Sequence, residues 1–246
     1  MNSNNGVILL TGSNGGLGQG VARYLFKSGI RNIACHYHIN KNEISSILSE
    51  YDLDPEKHLF RANLINEKEV IFLRESIFKT LGPVYNLINL IGGSTNSMSW
   101  KISKAEFQKV LDMNLITAFL CCREFVPYMR AQQKGRIINV SSIVGFHGIV
   151  GASHYCAAKM AIVGFSKALA LEVATKNITV NVLGLGYFDA GLIKEVPEPM
   201  KKSIVDSTPM KRLGKTEEIG GCIKYLLSEE ANFITGQVLH INGGLY

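Results

Sequence analysis

Short apolar runs alternate along the chain with longer segments in which apolar residues recur at helical spacing. The runs of strand length predict strands at Val7–Thr11, Asn32–Tyr37, His58–Arg61, Val84–Leu90, Gly135–Ser141, Thr179–Leu183 and Val238–His240. The periodic segments predict helices near Gly16–Lys27, Asn42–Tyr51, Glu67–Thr80, Lys104–Arg130, Ser153–Thr175 and Glu217–Leu227. Apolar strands that alternate with helices indicate an α/β fold, in which a doubly wound parallel sheet carries helices on both faces.

One segment, residues 184–214, breaks this alternation. It contains Pro197, Pro199 and Pro209 together with several glycines. A long interruption in a compact domain is typical of a functional lid or binding loop. The chain has 246 residues, of which 46% are hydrophobic and 19% charged. We therefore predict a single domain over residues 1–246, with a substrate loop or lid at about 184–214.

Charge and cysteine usage exclude several classes of function. The net charge is +6 and the basic residues are scattered, so we predict no nucleic-acid partner, although a basic surface suits an anionic cofactor, substrate or carrier protein. The five cysteines have no spacing typical of a disulfide framework or a metal site, so no metal is predicted. Met1 to Asn5 lack the features of a secretory signal, and no apolar stretch approaches the roughly 18 residues of a membrane span. We expect a cytoplasmic protein.

A glycine-rich turn follows the first predicted strand and leads into the first predicted helix. In such a turn, glycines let the backbone approach a pyrophosphate, and the helix N-terminus supplies N–H donors. The preceding strand and following helix distinguish this arrangement from an ordinary tight turn. The residues predicted to bind a dinucleotide here are Thr11, Gly12, Ser13, Asn14, Gly16, Leu17 and Gly18.

The end of the second strand bears on the choice of dinucleotide. An acidic residue at this point would bind the ribose 2′-hydroxyl of NAD, but residues 35–41 contain no carboxylate. His38 and Lys41 can instead face a 2′-phosphate, with Ser13 or Asn14 assisting, so NADP(H) is favoured over NAD(H). The alternative is that His36 and His38 merely end the strand. After the third strand, Asn63 and Leu64 are candidates for the adenine edge.

Tyr155 and Lys159 are the candidate catalytic pair. They are four residues apart and therefore share one face of the helix that follows the fifth strand. A free tyrosine has a pKa of about 10, and a nearby ammonium would lower that pKa. Tyr155 can then protonate a carbonyl oxygen as hydride reaches the carbon, or act in reverse. Ser142 would hydrogen-bond the same oxygen, and Asn114 would hold a water against Lys159.

The tyrosine–lysine spacing does not by itself identify the site, because Tyr37 and Lys41 repeat it at the end of the second strand. Tyr155 is favoured because Ser142 precedes it at a strand end and because its helix follows the fifth strand, where the crevice of a doubly wound sheet can lie. His154, directly before Tyr155, is interpreted as a helix-start residue.

These motifs together resemble the short-chain dehydrogenase/reductase family over essentially the whole chain, and most of all its β-ketoacyl-(acyl-carrier-protein) reductases. The residues that carry the resemblance are Thr11, Gly12, Gly16 and Gly18, Asn89, Gly92, Asn114, Ser142, Tyr155, Lys159, Asn181, Gly186 and Asn242-Gly243-Gly244. The resemblance implies a Rossmann-type sheet of seven parallel strands and a homotetramer. It also implies that Tyr155 is the acid–base group, Lys159 a ribose ligand, Ser142 the oxygen binder and Asn114 the relay, with cofactor contacts at Asn89, Gly92, Gly186 and Phe188.

Three positions depart from the pattern of the family. Ile91 stands where alanine is usual, Leu185 where proline is usual, and Ala190 where a threonine usually bonds the nicotinamide amide. The departures lie around the cofactor and leave Tyr155 and Lys159 in place. They indicate a specialised relative of the β-ketoacyl reductases.

The leading hypothesis is therefore an NADPH-dependent reductase of 3-oxoacyl thioesters carried by acyl carrier protein or coenzyme A. An acidic carrier would need a basic rim, for which the candidates are Arg130, Lys134, Arg136 and Lys176. Two alternatives stay open. One is an NAD(P)-dependent alcohol, sugar or steroid dehydrogenase of the same family, and the other is a non-catalytic dinucleotide-binding sensor or partner subunit.

Overall fold

The strands of this protein form one parallel sheet, seen in a computed structural model that describes residues 6–246. Their order across the sheet is β3-β2-β1-β4-β5-β6-β7. The strands span β1 (Val7–Thr11), β2 (Ile33–Tyr37), β3 (Leu59–Arg61), β4 (Val84–Asn89), β5 (Gly135–Ser142), β6 (Ile178–Leu185) and β7 (Val238–Ile241). The interpretation of Met1 to Asn5 lies outside the described residues.

Helices connect successive strands and cover both faces of the sheet. They are α1 (Gly16–Lys27), α2 (Asn42–Glu50), α3 (Pro55–His58), α4 (Glu67–Thr80), α5 (Lys104–Leu111), α6 (Thr117–Gln132), α7 (Val144–His147), α8 (Ser153–Val173), α9 (Glu198–Ser207) and α10 (Thr216–Leu226). Short 3₁₀ segments lie at Ala174–Lys176, Gly191–Glu195 and Glu229–Ala231. The helix at each parallel crossover brings the chain back to the edge where the next strand begins.

Alternate residues of a strand enter opposite halves of the core, as the two-residue period of a β-strand requires. In β1, Val7 and Leu9 belong to the layer under α4 and α6, whereas Ile8 and Leu10 belong to the layer under α1 and α10. Each layer is apolar and buried. The predicted α/β, doubly wound, Rossmann-type sheet of seven strands in a single domain is thus confirmed.

The long helix predicted over Lys104–Arg130 is wrong in one respect, because a π-helical turn at Asp112–Ile116 divides it into α5 and α6. The side chain of Asn114 donates to the carbonyl oxygen of Val110 at 2.8 Å. In a regular α-helix this carbonyl oxygen would instead accept a backbone N–H one turn later. Single π-helical turns are frequent at functional sites. This turn holds Asn114 with its amide against Gly93, in the loop that follows β4.

Several predicted boundaries also differ from the structure. His58 ends the short helix α3 instead of starting β3, and β6 extends one residue earlier and two later than predicted. Residues 184–214 are not a plain loop, since they contain a 3₁₀ segment and α9. Pro197 and Pro199 lie at the start of α9, where a missing N–H costs nothing, so these prolines begin a helix instead of preventing one.

No helix in residues 6–246 combines the length and apolar character needed to cross a membrane.

Candidate active site

The candidate site lies at the carboxyl edge of the sheet, beside the point where strand order reverses. Successive strands are added outward from β1 in one direction and from β4 in the other. In open α/β sheets the crevice at such a reversal is the usual ligand site. Ser142 is the last residue of β5, and Tyr155 lies in the first turn of α8. The fold therefore brings both predicted residues to the crevice.

Tyr155 is partly buried beside Ser142. Burial raises the pKa of its phenol to about 12, and a hydrogen bond with Ser142 acts in the opposite direction. The expectation that Lys159 lowers this pKa is wrong for this structure, because desolvation of the phenolate outweighs every favourable contact. Tyr155 is therefore a neutral phenol at physiological pH. That is the protonation state a proton donor requires.

Lys159 lies beneath Tyr155 and is almost completely buried, with 2% of its surface exposed. Its Nζ atom is 5.7 Å from the centre of the Tyr155 ring and donates to the carbonyl oxygen of Val140 at 3.0 Å. Desolvation lowers the pKa of Lys159 to about 7, with no contribution from a neighbouring charge. A buried ammonium with one neutral acceptor retains two N–H donors for a ligand.

Asn114 and Lys159 converge on Gly92, which follows β4. A β-carbon at Gly92 would lie 2.8 Å from Asn114 Oδ1 and 2.8 Å from Lys159 Nζ, so only glycine leaves room between them. The Asn114 amide nitrogen donates to the carbonyl oxygens of Gly93 and Val110, both at 2.8 Å. These bonds direct Oδ1 toward Lys159. The four residues predicted as catalytic thus gather around one side of the crevice.

The glycine-rich turn between β1 and α1 has the features of an anion cradle. Helix α1 begins without a side-chain cap and has no acidic residue in its first turn, so its first N–H groups are open to a ligand. The turn adopts a positive φ of 69° at Gly12, a conformation that favours glycine. The uncapped N-terminus of α1 fits a dinucleotide pyrophosphate, and the two N–H donors that Lys159 retains fit a ribose.

His36 connects this turn to the neighbouring strands. The N–H of Gly12 donates to His36 Nδ1 at 3.2 Å, which leaves the hydrogen on Nε2 to donate to the carbonyl oxygen of Ala62 at 2.9 Å. Burial lowers the pKa of His36 to about 4. The His36 side chain is thus neutral and buried, and it holds the glycine-rich turn to Ala62 through its two ring nitrogens. The structure favours the alternative in which it has no role toward the cofactor's phosphate.

We expect acid to destabilise the protein through His36. Its pKa is about 4 when folded and 6.5 as an ordinary value, so its stabilising neutral form is fully present above pH 6.5 and is lost as pH falls through 4. The loss amounts to about 3 kcal/mol of unfolding free energy. Thermal unfolding of the wild type and of His36→Gln at several pH values checks this, with His38→Gln as the exposed control. A wild-type profile parallel to that of His36→Gln would contradict the assignment.

Comparison with known proteins decides the family. A family model described as enoyl-(acyl carrier protein) reductase matches residues 12–246. The chain is 36% identical over 240 residues to a nodulation protein G of Azospirillum brasilense, covering 97% of each chain. It is 31% identical over 239 residues to 3-oxoacyl-(acyl-carrier-protein) reductase FabG of Staphylococcus epidermidis, covering 97% of this chain and 98% of that relative. The chain belongs to the short-chain dehydrogenase/reductase family.

Membership in this family establishes an NAD(P)H-dependent oxidoreductase that acts on CH–OH or C=O groups. The resemblance to its 3-oxoacyl-(acyl-carrier-protein) reductases, inferred from motifs, is confirmed. A second FabG relative, from Rickettsia felis, is 32% identical over 239 residues and covers 96% of this chain and 95% of its own. The catalytic helix and the glycine-rich turn both lie within the matched residues.

Several residues predicted to touch the cofactor of this dehydrogenase/reductase turn inward instead. The Ser13 hydroxyl is buried and donates to the carbonyl oxygen of His36 at 2.9 Å, so it does not reach a 2′-phosphate. Thr11 Oγ1 accepts the N–H of Leu90 at 3.0 Å and so ties β1 to the end of β4. The remaining side chains directed into the core are those of Leu64, Asn89 and Phe188. At these positions only the backbone is available to contact the cofactor.

Asn89 illustrates why such residues look functional in a sequence. It ends β4 and donates to Asn139 Oδ1 at 2.8 Å, while Asn139 donates to Ser166 Oγ at 2.8 Å. This chain of buried amides links β4, β5 and α8. A buried polar residue at a strand end therefore serves to hydrogen-bond neighbouring elements to one another as often as to bind a cofactor. Gly186 also has a structural reason to be present, since a β-carbon there would lie 2.7 Å from Asn242 Cα.

The end of β2 carries the side chains that were predicted to face a 2′-phosphate. His38 and Lys41 are exposed there, and Lys41 Nζ is 3.9 Å from Glu56 Oε1. A carboxylate that the sequence pattern did not predict, Glu43, also lies here, and its Oε2 accepts from Asn14 Nδ2 at 2.9 Å. The Asn14 bond lowers the pKa of Glu43. Its position after the strand, in the first turn of α2, hid it from a search of the strand end.

The family departures cluster on the glycine-rich turn. Ile91 packs against Gly12, where a β-carbon would lie 3.1 Å from Ile91 Cγ1. Ala190 precedes Gly191, whose backbone N would lie 2.5 Å from a β-carbon on Gly16. Residues 184–214 therefore begin by passing directly over the turn. Leu185 is buried within β6.

The predicted basic rim does not border the site of its own chain. Arg136 is the second residue of β5 and Ser142 the last, so the two are about 20 Å apart at the rise of a β-strand. Arg130 and Lys176 lie near the ends of the helical segments before β5 and β6, at the same far edge. Arg136 is also engaged with the carbonyl oxygen of Gly135 at 2.8 Å. These candidates thus lie at the edge of the sheet opposite Tyr155, and their contact with an acidic carrier stays a prediction.

Proposed function

We propose that this chain catalyses the NADPH-dependent reduction of a 3-oxoacyl thioester, carried by acyl carrier protein or coenzyme A, to the 3-hydroxyacyl thioester. The observation that carries the proposal is the neutral, partly buried phenol of Tyr155 beside Ser142, with the Lys159 ammonium beneath it. The relative named 3-oxoacyl-(acyl-carrier-protein) reductase, matched over 98% of its length, supports the choice of substrate.

In this proposal the 3-oxo oxygen lies against the Tyr155 and Ser142 hydroxyls. A nicotinamide dinucleotide held by the glycine-rich turn and Lys159 would supply the hydride that the carbonyl carbon accepts. Tyr155 donates its proton to the oxygen as charge develops there, and Ser142 donates a hydrogen bond to the same atom. Because the pKa of Tyr155 is about 12, the phenol is already protonated before reaction, and proton transfer becomes favourable only as hydride transfer makes the oxygen basic.

Lys159 and Asn114 assist the proton transfer by Tyr155. The two remaining N–H donors of Lys159 hold the ribose hydroxyls, and its charge stabilises the phenolate that Tyr155 becomes. Asn114 Oδ1, which faces the same gap at Gly92 as Lys159 Nζ, holds a water that returns a proton toward Tyr155. The uncapped N-terminus of α1 holds the pyrophosphate.

Oxidation of NADPH in the presence of acetoacetyl-coenzyme A, followed at 340 nm, tests the proposal. We expect turnover with NADPH and none of comparable efficiency with the alcohols, sugars and steroids that related dehydrogenases use. The same assay with NADH measures cofactor preference. Turnover of free alcohols or sugars without turnover of any thioester would contradict the assigned substrate and favour the alternative dehydrogenase activity.

The preference for NADP(H) is proposed to rest on Lys41 at the end of β2. We expect Lys41→Ala to raise the Kd for NADPH about ten-fold and to change that for NADH less than about two-fold, since only NADPH loses a charge-assisted hydrogen bond. Equilibrium binding of both cofactors checks this. Lys57→Ala, which removes an exposed lysine 3.9 Å from Asp54, is the matched control. Equal losses for both cofactors would count against a 2′-phosphate contact.

Residues 184–214 are proposed to act as a lid hinged where its ends meet. Phe188 and Gly214 form a parallel bridge, and Asp189 N donates to the carbonyl oxygen of Gly214 at 3.0 Å. The intervening residues leave and return at this bridge, and within them Met210 N donates to the carbonyl oxygen of Gly243 at 3.1 Å, a bond that opening of the lid would break. Gly191 lies over Gly16 of the glycine-rich turn, which supports a role in covering the cofactor.

A homo-oligomer, by resemblance a tetramer, is proposed to assemble through α6 and α8. Both helices present large apolar side chains to the outside, which include those of Phe119 and Tyr128 on α6 and of Met160 and Leu171 on α8. Phe119 contacts Phe165 across the two helices, with ring centres 6.1 Å apart. An exposed apolar face that is continuous over two long helices supports burial against another subunit.

A further inference from the structure

The loop that follows β4 is fastened to the residues that precede Tyr155. Three hydrogen bonds join them: Thr95 Oγ1 with His154 Nε2 at 3.2 Å, Ser97 N to the carbonyl oxygen of Gly151 at 2.8 Å, and Ser99 Oγ to Ser153 Oγ at 2.8 Å. His154 is completely buried, so its bond to Thr95 is shielded from water. Residues 94–100 and 148–154 thus form one connected wall beside the catalytic helix.

This wall carries four exposed apolar side chains, which we call the apolar rim: Met98, Trp100, Ile149 and Val150. Their exposed fractions are 39%, 79%, 48% and 81%. Single exposed apolar residues are ordinary on protein surfaces, but a group concentrated on two hydrogen-bonded loops marks a contact site. None of the four is needed to fill the core of the described chain, since none belongs to its buried apolar clusters.

The rim is continuous with the reaction centre. Val150 is five residues before Tyr155, and Ala152, between them, accepts the N–H of Cys156 at 2.9 Å in the first turn of α8. On the other side, the wall begins at Gly93, whose N–H and carbonyl oxygen both bond the amide of Asn114. The two loops that carry the rim therefore adjoin Tyr155 at one end and the Asn114 amide at the other.

We infer that the apolar rim binds the acyl chain of the substrate beyond its reacting carbonyl, so that the enzyme prefers medium and long chains to short ones. The inference rests on the proposed function. An acyl chain is favoured as the occupant because it is covalently continuous with the carbonyl that Tyr155 protonates. Burial of one methylene contributes up to about four-fold in binding, so partial burial of eight added carbons makes the preference measurable.

Trp100 offers a direct readout, because it is the only tryptophan of the 246 residues. We expect 3-hydroxydodecanoyl-coenzyme A, added below its micellar concentration, to shift the tryptophan emission to shorter wavelength in a saturable way. Under the same conditions 3-hydroxybutyryl-coenzyme A leaves the emission unchanged. This measurement needs no turnover. An identical response to the two ligands would overturn the inference.

Kinetics with two chain lengths complete the test. We expect kcat/KM for 3-oxododecanoyl-coenzyme A to exceed that for acetoacetyl-coenzyme A at least ten-fold, and Val150→Ser or Met98→Ser to reduce this ratio at least five-fold. Phe233→Ser, fully exposed on a different part of the surface, is the control and keeps the ratio. A wild-type ratio near one overturns the inference while the proposed function stands. Absence of turnover with both thioesters overturns the proposed function, and the emission shift then still decides whether the rim binds acyl chains.

An equal loss of kcat/KM for the two chain lengths in Val150→Ser would also contradict the inference. The rim would then contact the carrier or another protein surface instead of the acyl chain. A change in the sedimentation behaviour of that variant would point to a second copy of the chain as the occupant. In both cases the emission response to chain length should be absent.

Discussion

Replacement of Tyr155 by phenylalanine lowers kcat/KM for the thioester at least about 100-fold, the lower end of the usual range for loss of a general acid. The variant removes one oxygen and keeps the ring, so the contacts that hold α8 against β5 persist. The remaining hydroxyl, on Ser142, can hydrogen-bond the developing alkoxide but is not expected to replace the proton. Steady-state kinetics with NADPH and acetoacetyl-coenzyme A check the result.

The chain supplies a matched control for this substitution. Tyr37 and Lys41 have the same spacing as Tyr155 and Lys159 but lie at the end of β2. We expect Tyr37→Phe to keep kcat within about two-fold, since no proton transfer depends on it. Unchanged NADPH binding in Tyr155→Phe shows that the site is intact. Retention of more than a tenth of wild-type activity by Tyr155→Phe would contradict its role as proton donor.

The fold could be predicted from the sequence because its signals are local. β1 is buried on both faces and reads as an uninterrupted apolar run, and α10 shows helical spacing of apolar residues. Tyr155 and Lys159 could be paired for the same reason, as one helix carries both four residues apart. The glycine-rich turn was placed correctly between β1 and α1 because the strand before it and the helix after it are both strong.

Contacts between distant segments could not be predicted in this way. The direction of the Ser13 hydroxyl depends on His36, and the partner of Asn14 is Glu43, 29 residues away. The π-helical turn depends on the side chain of Asn114 competing for a carbonyl oxygen within its own helix. Nothing in the apolar period of the segment signals that competition.

The pKa of Tyr155 shows how burial can reverse an expectation based on pairing. A lysine one helical turn away predicts a lowered phenol pKa, but the same fold that brings the two together also removes both from water. Desolvation then raises the pKa of Tyr155 to about 12 and lowers that of Lys159 to about 7. Sequence spacing reports the proximity of two groups and carries no information about their solvation.

Lys159→Met is the second substitution with a large expected effect, and it separates catalysis from stability. We expect kcat/KM to fall at least about 100-fold, because both the ribose contact and the charge beneath the phenolate are lost. Methionine approximates the length of the lysine stem and suits a buried position. In the wild type, kcat/KM for NADPH should fall as pH rises through about 7, where the free enzyme loses the ammonium. A pH profile that is flat between 6 and 8.5 would contradict this assignment of the charged form.

The free energy of unfolding should rise with pH over the range in which kcat/KM falls. The pKa of Lys159 is about 7 in the folded protein against an ordinary 10.5, so burial of the charge costs free energy below pH 7, and the cost disappears as pH rises toward 10.5. Between pH 6.5 and 9 the wild type should gain about 2 kcal/mol of unfolding free energy relative to Lys159→Met. Chemical denaturation of both proteins at the two pH values measures the difference. If the variant were less stable than the wild type by the same amount at both, the ammonium would be favourably solvated in the fold, and its low pKa could not explain the pH dependence of catalysis.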